Sequence, residues 1–425
     1  MKTFLTLAAA GALLAATATA QPPHYTLIDL STAPGDPFGQ ATGLNNNLVV
    51  TGLDTGSDGI QHAVLWYMGL GLKINIGTPG LNSGAFGVNG LGEVEIQAES
   101  PAKDPNNENF CAYGTGLKCL PFLWQGGVPV PLPLLGGNNG TVGQINNRGE
   151  VAGIAETATR DPACPTAVTV AGTGPQLLDY EAVVWGPGSG AIRKLSPLPG
   201  DTVGIALSIN DSSQAVGSSG TCANSVLPPL AYGSHAVLWE SDGSVTDLGN
   251  LGATTANIGL SINNQGQVAG ASSLTANSTP SDGTNAFLWT KGSGMRDLGT
   301  LAGDVASGGQ SINDAGEVVG LSIDPSGNPR AFVWQNGVMT DLNTLVQANS
   351  SLFLLDAGAI NSRGDIAGFG ATSKGDIHPF LAIPSAVPTA VPSGASRMVL
   401  SDDARKRIQK QVLFGPTGVR FMGPR

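Results

Sequence analysis

An apolar residue followed by asparagine recurs seven times along the chain, at Asn45, Asn89, Asn146, Asn210, Asn263, Asn313 and Asn361. The clearest copy reads SINDAGEVVG (Ser311–Gly320), with near-copies SINNQGQVAG from Ser261, QINNRGEVAG from Gln144 and AINSRGDIAG from Ala359. Each asparagine opens a turn, and a short β-type run follows. Farther along each period comes an apolar stretch: HAVLW from His62 and again from His235, PFLW from Pro121, EAVVW from Glu181, NAFLW from Asn285, RAFVW from Arg330 and HPFLAI from His378. All six tryptophans, Trp66, Trp124, Trp185, Trp239, Trp289 and Trp334, end these stretches, and Ala382 takes that place in the seventh. A Gly-containing turn and another short run complete the period, as in GMRDLGTLAG and GVMTDLNTLV.

Each period of 44 to 64 residues therefore holds four strand candidates, a to d. Strand c alternates: Ala331 and Val333 face one way, Phe332 and Trp334 the other. Both faces are apolar, so each sheet must be covered on both sides and must stack on its copies. Radial stacking of seven such sheets is an all-β, seven-bladed β-propeller over residues 24–384. A linear solenoid fits less well, because its coils are usually about twenty residues and an open array needs capping segments. The ends argue for closure. HYTLIDLS (His24–Ser31) is a d-type strand with no a, b or c before it, and the last period stops at strand c. The N-terminal strand is thus expected to complete the last blade and leave no open join.

Composition suits this architecture. Glycine, 61 of 425 residues, is about twice its usual share, and charged residues, 12%, are about half of theirs. Lys2, the apolar run Phe4–Ala16 and Ala18-Thr19-Ala20 make residues 1–20 a secretory signal, with Gln21 as the expected mature start. No later segment is a candidate membrane span. Residues 21–396 carry a net charge of −17 and residues 397–425 one of +5. An acidic body with a basic tail does not suit a nucleic-acid binder. The four cysteines of an exported chain favour disulfides. CAYGTGLKC can close one loop through Cys111 and Cys119, and Cys164 would then pair with Cys222, one of three possible connectivities. No CxxC spacing or nearby histidine supports zinc.

Strand c segments such as HAVLW and NAFLW, the DLGTL step and INDAGEVVG together resemble the HAF repeat of extracellular bacterial proteins. The resemblance spans about residues 24–384 and is sharpest at Asn285–Gly320. The early blades depart from it: Asn75 and Pro131 replace the Asp of the Asp-Leu pair, and Leu44–Leu48 lacks the turn glycine. It implies a propeller and export, and no established reaction.

The repeated residues have structural explanations. Asparagine bonds its own turn and tolerates left-handed backbone; a ring of seven ligating amides is the rival reading. The tryptophans are expected to wedge between blades, each indole N–H needing an acceptor. His62, His235 and His378 start equivalent strands on separate blades, and Asp29, Asp247, Asp297 and Asp341 are expected to bond neighbouring turns. HExxH, GxSxG and GxxxxGK[ST] patterns do not occur. What breaks the repeat are long b–c loops in blades 2 to 4, about 97–120, 155–180 and 218–234, which hold all four cysteines and Phe110, Tyr113, Tyr180 and Tyr232. Loops on a rigid scaffold carry function more often than the scaffold does. These aromatics, with Asp161, form the candidate binding rim. A Pro/Ser-rich linker (385–400) leads to a basic tail (401–425), where Ser401 caps a short helix.

The chain reads as an exported, non-enzymatic binding or cell-surface module. It is expected to be monomeric and without cofactor or metal, with an extracellular ligand of glycan or envelope type. The alternative is an extracellular polysaccharide hydrolase or lyase on the propeller, using loop carboxylates such as Asp161 and Asp179.

Overall fold

The computed structural model describes residues 23–30, 38–56, 58–164, 175–188, 190–224, 233–277, 283–347, 349–385 and 400–406. The expected signal segment, Tyr232 and most of the linker and tail lie outside these ranges. The strands form seven four-stranded antiparallel sheets, each in the order a-b-c-d. Blade 6 is typical: Ala306–Ile312, Val318–Ile323, Pro329–Gln335 and Val338–Asp341, followed by a 3-10 turn at Leu342–Thr344. In blade 7, strands Phe353–Ile360, Ile366–Ala371 and Ile377–Ser385 are completed by the N-terminal strand His24–Asp29. That strand pairs His24 with Ser385 through Asp29 with Phe380. The ring is therefore a closed seven-bladed propeller, and its seam lies inside a sheet.

The repeated glycine of EVVG has a steric cause. Every strand a carries a register shift, as between Gly309 and Ser311 or Ala206 and Ser208, which is the extra residue of a β-bulge. Beside it a strand-a carbonyl turns onto strand b: a Cβ on Gly217 would lie 1.8 Å from the Ile205 oxygen, and on Gly320 2.0 Å from that of Gly308. No side chain fits there.

The tryptophans wedge between blades as expected. Trp185 and Trp239 are fully buried. The indole N–H of Trp66 donates to the Leu30 carbonyl, that of Trp185 to Pro133 and that of Trp239 to Ser196, each on the preceding blade. A residue at the start of strand c and the Asp position of strand d form a second repeated tie. Asn285 bonds Asp297, Arg330 bonds Asp341, His235 lies 3.0 Å from Asp247, and His378 lies 2.9 Å from Asp29 across the seam. Blade 3 reverses the charges, with Glu181 on strand c paired to Lys194 on strand d. Asp247 and Asp297 also accept the N–H of the glycine two residues on, the expected turn bond.

The described start of the tail docks. Residues 402–406 are helical, Ser401 Oγ accepts the Ala404 N–H, and Leu400 and Ala404 are buried against Phe38, Leu53, Phe369 and Ile377 of blades 1 and 7. Arg405 reaches Asp324 of blade 6 at 3.9 Å.

Candidate functional site

The expected rim is largely a cap. Strands b of blades 2 and 3 run on to Lys103 and Arg160, so part of each long loop is strand extension. The disulfides are Cys111–Cys119 and Cys164–Cys222, the expected pairs, and the second ties blade 3 to blade 4. Phe110 and Tyr180 do not face a ligand: they are 2% and 1% exposed, in one apolar cluster with all four cysteines, Ile154, Val203, Ile205 and Ile258. This corrects their assignment as surface anchors. The physical reasons differ: Tyr180 belongs to strand c of blade 3 (Leu178–Trp185), whose side chain turns into the sheet packing, and Phe110 sits beside the Cys111–Cys119 disulfide, packed on Ile154, Val203, Ile205 and Ile258. Tyr113 is half-buried against the same cluster, and burial pushes its phenol up. Asp161 lies in the turn before Cys164, accepting the Ala163 N–H at 2.7 Å and the Thr202 hydroxyl at 3.3 Å. Asp179 is held above the ordinary carboxylate range by burial and by Asp161.

Beneath the cap lies a group that sequence reasoning missed. Asp104, Glu108 and Glu156 are buried with ligand atoms within 4.8 Å of one another. Asn139 Nδ2 donates to Asp104 at 2.9 Å and to Glu156 at 2.9 Å. Glu108 accepts the N–H groups of Leu177 and Leu178, and Gln176 bonds Glu156. These contacts weld the blade 2 loop to blade 3. Burial, then the neighbouring Glu108, pushes Glu156 up to about 8, so the cluster holds a proton near neutrality. The only signal in the sequence was DPNNE, acids spaced as in a turn.

Two further acids are buried. Glu95 is fully buried with both oxygens lacking a hydrogen-bond partner, where the other blades have Thr51, alanine or valine. Burial pushes it well up, and pushes Asp356 to about 7. Acids with raised pKa in the folded state stay protonated there while the unfolded chain releases the proton at its ordinary value. Their stabilisation is complete below about pH 4.5 and is lost as pH rises toward about 7 to 8. The protein should therefore melt several degrees lower at about pH 8.5 than at about pH 5. Glu95→Val should raise the melting temperature and flatten that dependence, as differential scanning calorimetry at both pH values would show. Equal melting at both would count against protonated buried acids.

On the opposite face, where the a–b and c–d turns emerge, the seven repeated asparagines close a ring. Asn45 Nδ2 donates to the Asn89 carbonyl at 2.9 Å, and the same bond runs from Asn89 to Asn146, Asn210, Asn263, Asn313, Asn361 and back to Asn45 at 3.2 Å. Each Oδ1 accepts N–H groups within its own turn, as from Gln265 and Gln267 to Asn263. The amides are consumed, so they are neither free ligands nor simple turn residues.

The ring surrounds a cavity of about 270 Å³ on the propeller axis. Three layers line it. Strand a ends in an aliphatic residue, such as Ile209, Ile262 or Ile312, which lies deepest; the asparagine follows; the next residue is at the turn tip. The tips are Asn46, Gly90, Asn147, Asp211, Asn264, Asp314 and Ser362, and all but the partly exposed Asp211 are exposed. Most neighbouring tips are joined by hydrogen bonds: Gly90 N–H to Asn147, Asn147 N–H to Asp211, Asp211 N–H to Asn264, Asn264 N–H to Asp314, and Ser362 N–H to Asn46. These residues were missed because only the asparagine position repeats strictly.

No protein-family model matches the chain, and no curated protein matches it. It is similar to solved propeller structures at very low identity. An acylaminoacyl peptidase from Pyrococcus horikoshii shares 9% identity over 83% of this chain and 52% of its own, with a TM-score of 0.48. The propeller domain of a trilobed protease from Pyrococcus furiosus shares 8% over 87% and 98%, also at 0.48. Virginiamycin B lyase from Staphylococcus aureus shares 10% over 84% and 99%, at 0.46. The chain spans about half the length of the acylaminoacyl peptidase. These likenesses concern the fold alone. Among the described residues no helix is long and apolar enough to cross a membrane.

Proposed function

We propose that this is an exported, non-enzymatic binding module of the HAF-repeat type, with its binding site at the axial cavity on the a–b turn face. One observation carries the reading: the repeated polar groups converge from all seven blades on a cavity of about 270 Å³, close to the lower end of small-ligand pockets. The disulfide cap supports export, because two buried disulfides need an oxidising compartment to form.

The test is retention of a glycan and small-metabolite panel by the immobilised mature protein beside Ser362→Trp, which places a bulky side chain at the exposed mouth. Ligand retained by the parent and lost by the variant, at unchanged melting temperature, supports the site. Equal retention by both moves the site elsewhere. The catalytic alternative rests on Asp179, whose Oδ1 lacks a hydrogen-bond partner beside Asp161. Cleavage of a polysaccharide that stops in Asp179→Asn would establish it in place of the binding reading.

A further inference from the structure

We propose that the axial cavity takes a small amphiphilic organic cation, with its ammonium group at the mouth and its apolar body on the aliphatic ring. This rests on the cavity being the binding site. The layering is the first ground. Successive strand residues rise by about 3.3 Å, so aliphatic side chains, ring amides and turn tips follow one another along the axis from depth to surface. A ligand therefore meets the exposed edges of the aliphatic residues below and, above them, the polar groups that make up most of the lining.

The second ground is hydrogen-bond inventory. Ring amides are spent on neighbouring carbonyls, and those carbonyls also accept turn N–H groups, as Asn313 accepts from both Asn263 and Gly316. At the mouth, Asn147 Nδ2 is taken by Asp211 and Asn264 Nδ2 by Asp314. The backbone N–H groups of Asn147, Asp211 and Asn264 are also taken. What Asp211 and Asp314 retain is acceptor capacity, since an ionised carboxylate offers about four lone-pair positions.

The third ground is charge. The nearby arginines already have acids: Arg148 lies 3.7 Å from Glu150 and Arg363 2.8 Å from Asp365. Arg148 also touches the Asp211 carbonyl at 3.4 Å, not its carboxylate. Among the described residues Asp211 and Asp314 have amide partners and no cationic one. They stand two blades apart with Asn264 between them, and neither belongs to a set of three ligating atoms close enough to grip a bare metal ion. A larger, hydrogen-bonding cation spans that arrangement. The layering also sets its orientation: a lysine tip entering from a partner protein would drive its charge onto the aliphatic ring, whereas a free amphiphile enters apolar end first.

The experiment is titration of the full mature protein with n-hexylammonium, hexanol, hexanoate and calcium ion, followed by calorimetry and by the amide NH₂ signals of the ring asparagines. Saturable hexylammonium binding that shifts those signals is expected, with hexanol and hexanoate weaker by about tenfold or more. Asp211→Asn with Asp314→Asn keeps an acceptor for Asn147 and Asn264, and should remove the preference for the ammonium while the melting temperature holds. Binding of hexanol or hexanoate as tight as that of hexylammonium, or displacement of hexylammonium by calcium ion, would overturn the ligand class. Loss of the preference in a control pair remote from the mouth, Asp247→Asn with Asp297→Asn, would overturn the assignment to Asp211 and Asp314. If Ser362→Trp blocks a panel ligand while hexylammonium never binds, the site stands and only the cation assignment fails.

Discussion

Removing His24–Asp29 is expected to destabilise the whole ring and not blade 7 alone. The strand makes six residue pairs with Ile377–Ser385. Tyr25 is 2% exposed in a cluster with Val319, Ala331, Leu345 and Phe380 of blades 6 and 7. Its N–H donates to the Leu345 carbonyl, and Leu27 N–H to Gln347. Just past the strand, Leu30 receives the indole N–H of Trp66 in blade 1. The strand thus holds three blades at once. Loss of a buried aromatic costs about 3 to 5 kcal/mol by itself, and an opened edge adds to it. The melting temperature should fall by about 10 °C or more. The seam tie adds a pH-sensitive part: the hydrogen bond that the His378 ring donates to the Asp29 carboxylate raises the His378 pKa, so its stabilisation is present below about pH 6.5 and fades as pH climbs through the raised value. Calorimetry of the truncated chain measures the loss. A transition identical to that of the intact protein would show that the ring does not depend on this closure.

Breaking one link of the asparagine ring should have the next largest effect. Asn263 gives one bond to the Asn313 carbonyl and one to Gln267, and accepts two turn N–H groups. Asn263→Ala removes all four from a residue 4% exposed. Stranded buried partners cost about 1 to 3 kcal/mol each, so a loss of about 3 kcal/mol and about 4 °C is expected. Asn263→Asp separates the two roles. It keeps the turn but sets a carboxylate against the Asn313 carbonyl. Its acid form can donate there, so this variant should regain stability as pH falls. An alanine variant as stable as the parent would reduce the ring to a consequence of the turns.

The blade count, strand order, closing strand and the Cys111–Cys119 loop were legible because each is written in the chain's pattern: periods of alternation, turn residues at fixed offsets, two cysteines close in sequence, a strand present at one end and missing at the other. The site was less legible. Phe110 and Tyr180 carry the same composition whether they stand on a surface or lie under two disulfides, and only the fold of the loops decides which. Asp104 and Glu156 lie on different blades and meet only when the blade 2 loop crosses to blade 3. The seven asparagines show the division most sharply. The chain by itself determines a turn at each, since an Asn side chain bonds backbone N–H groups two and four residues on. It does not determine that each amide bonds the next blade, or that Asn361 meets Asn45. Those contacts join residues 44 to 316 positions apart. They exist because radial packing brings the turns to one axis, and with them the cavity that no single repeat could form.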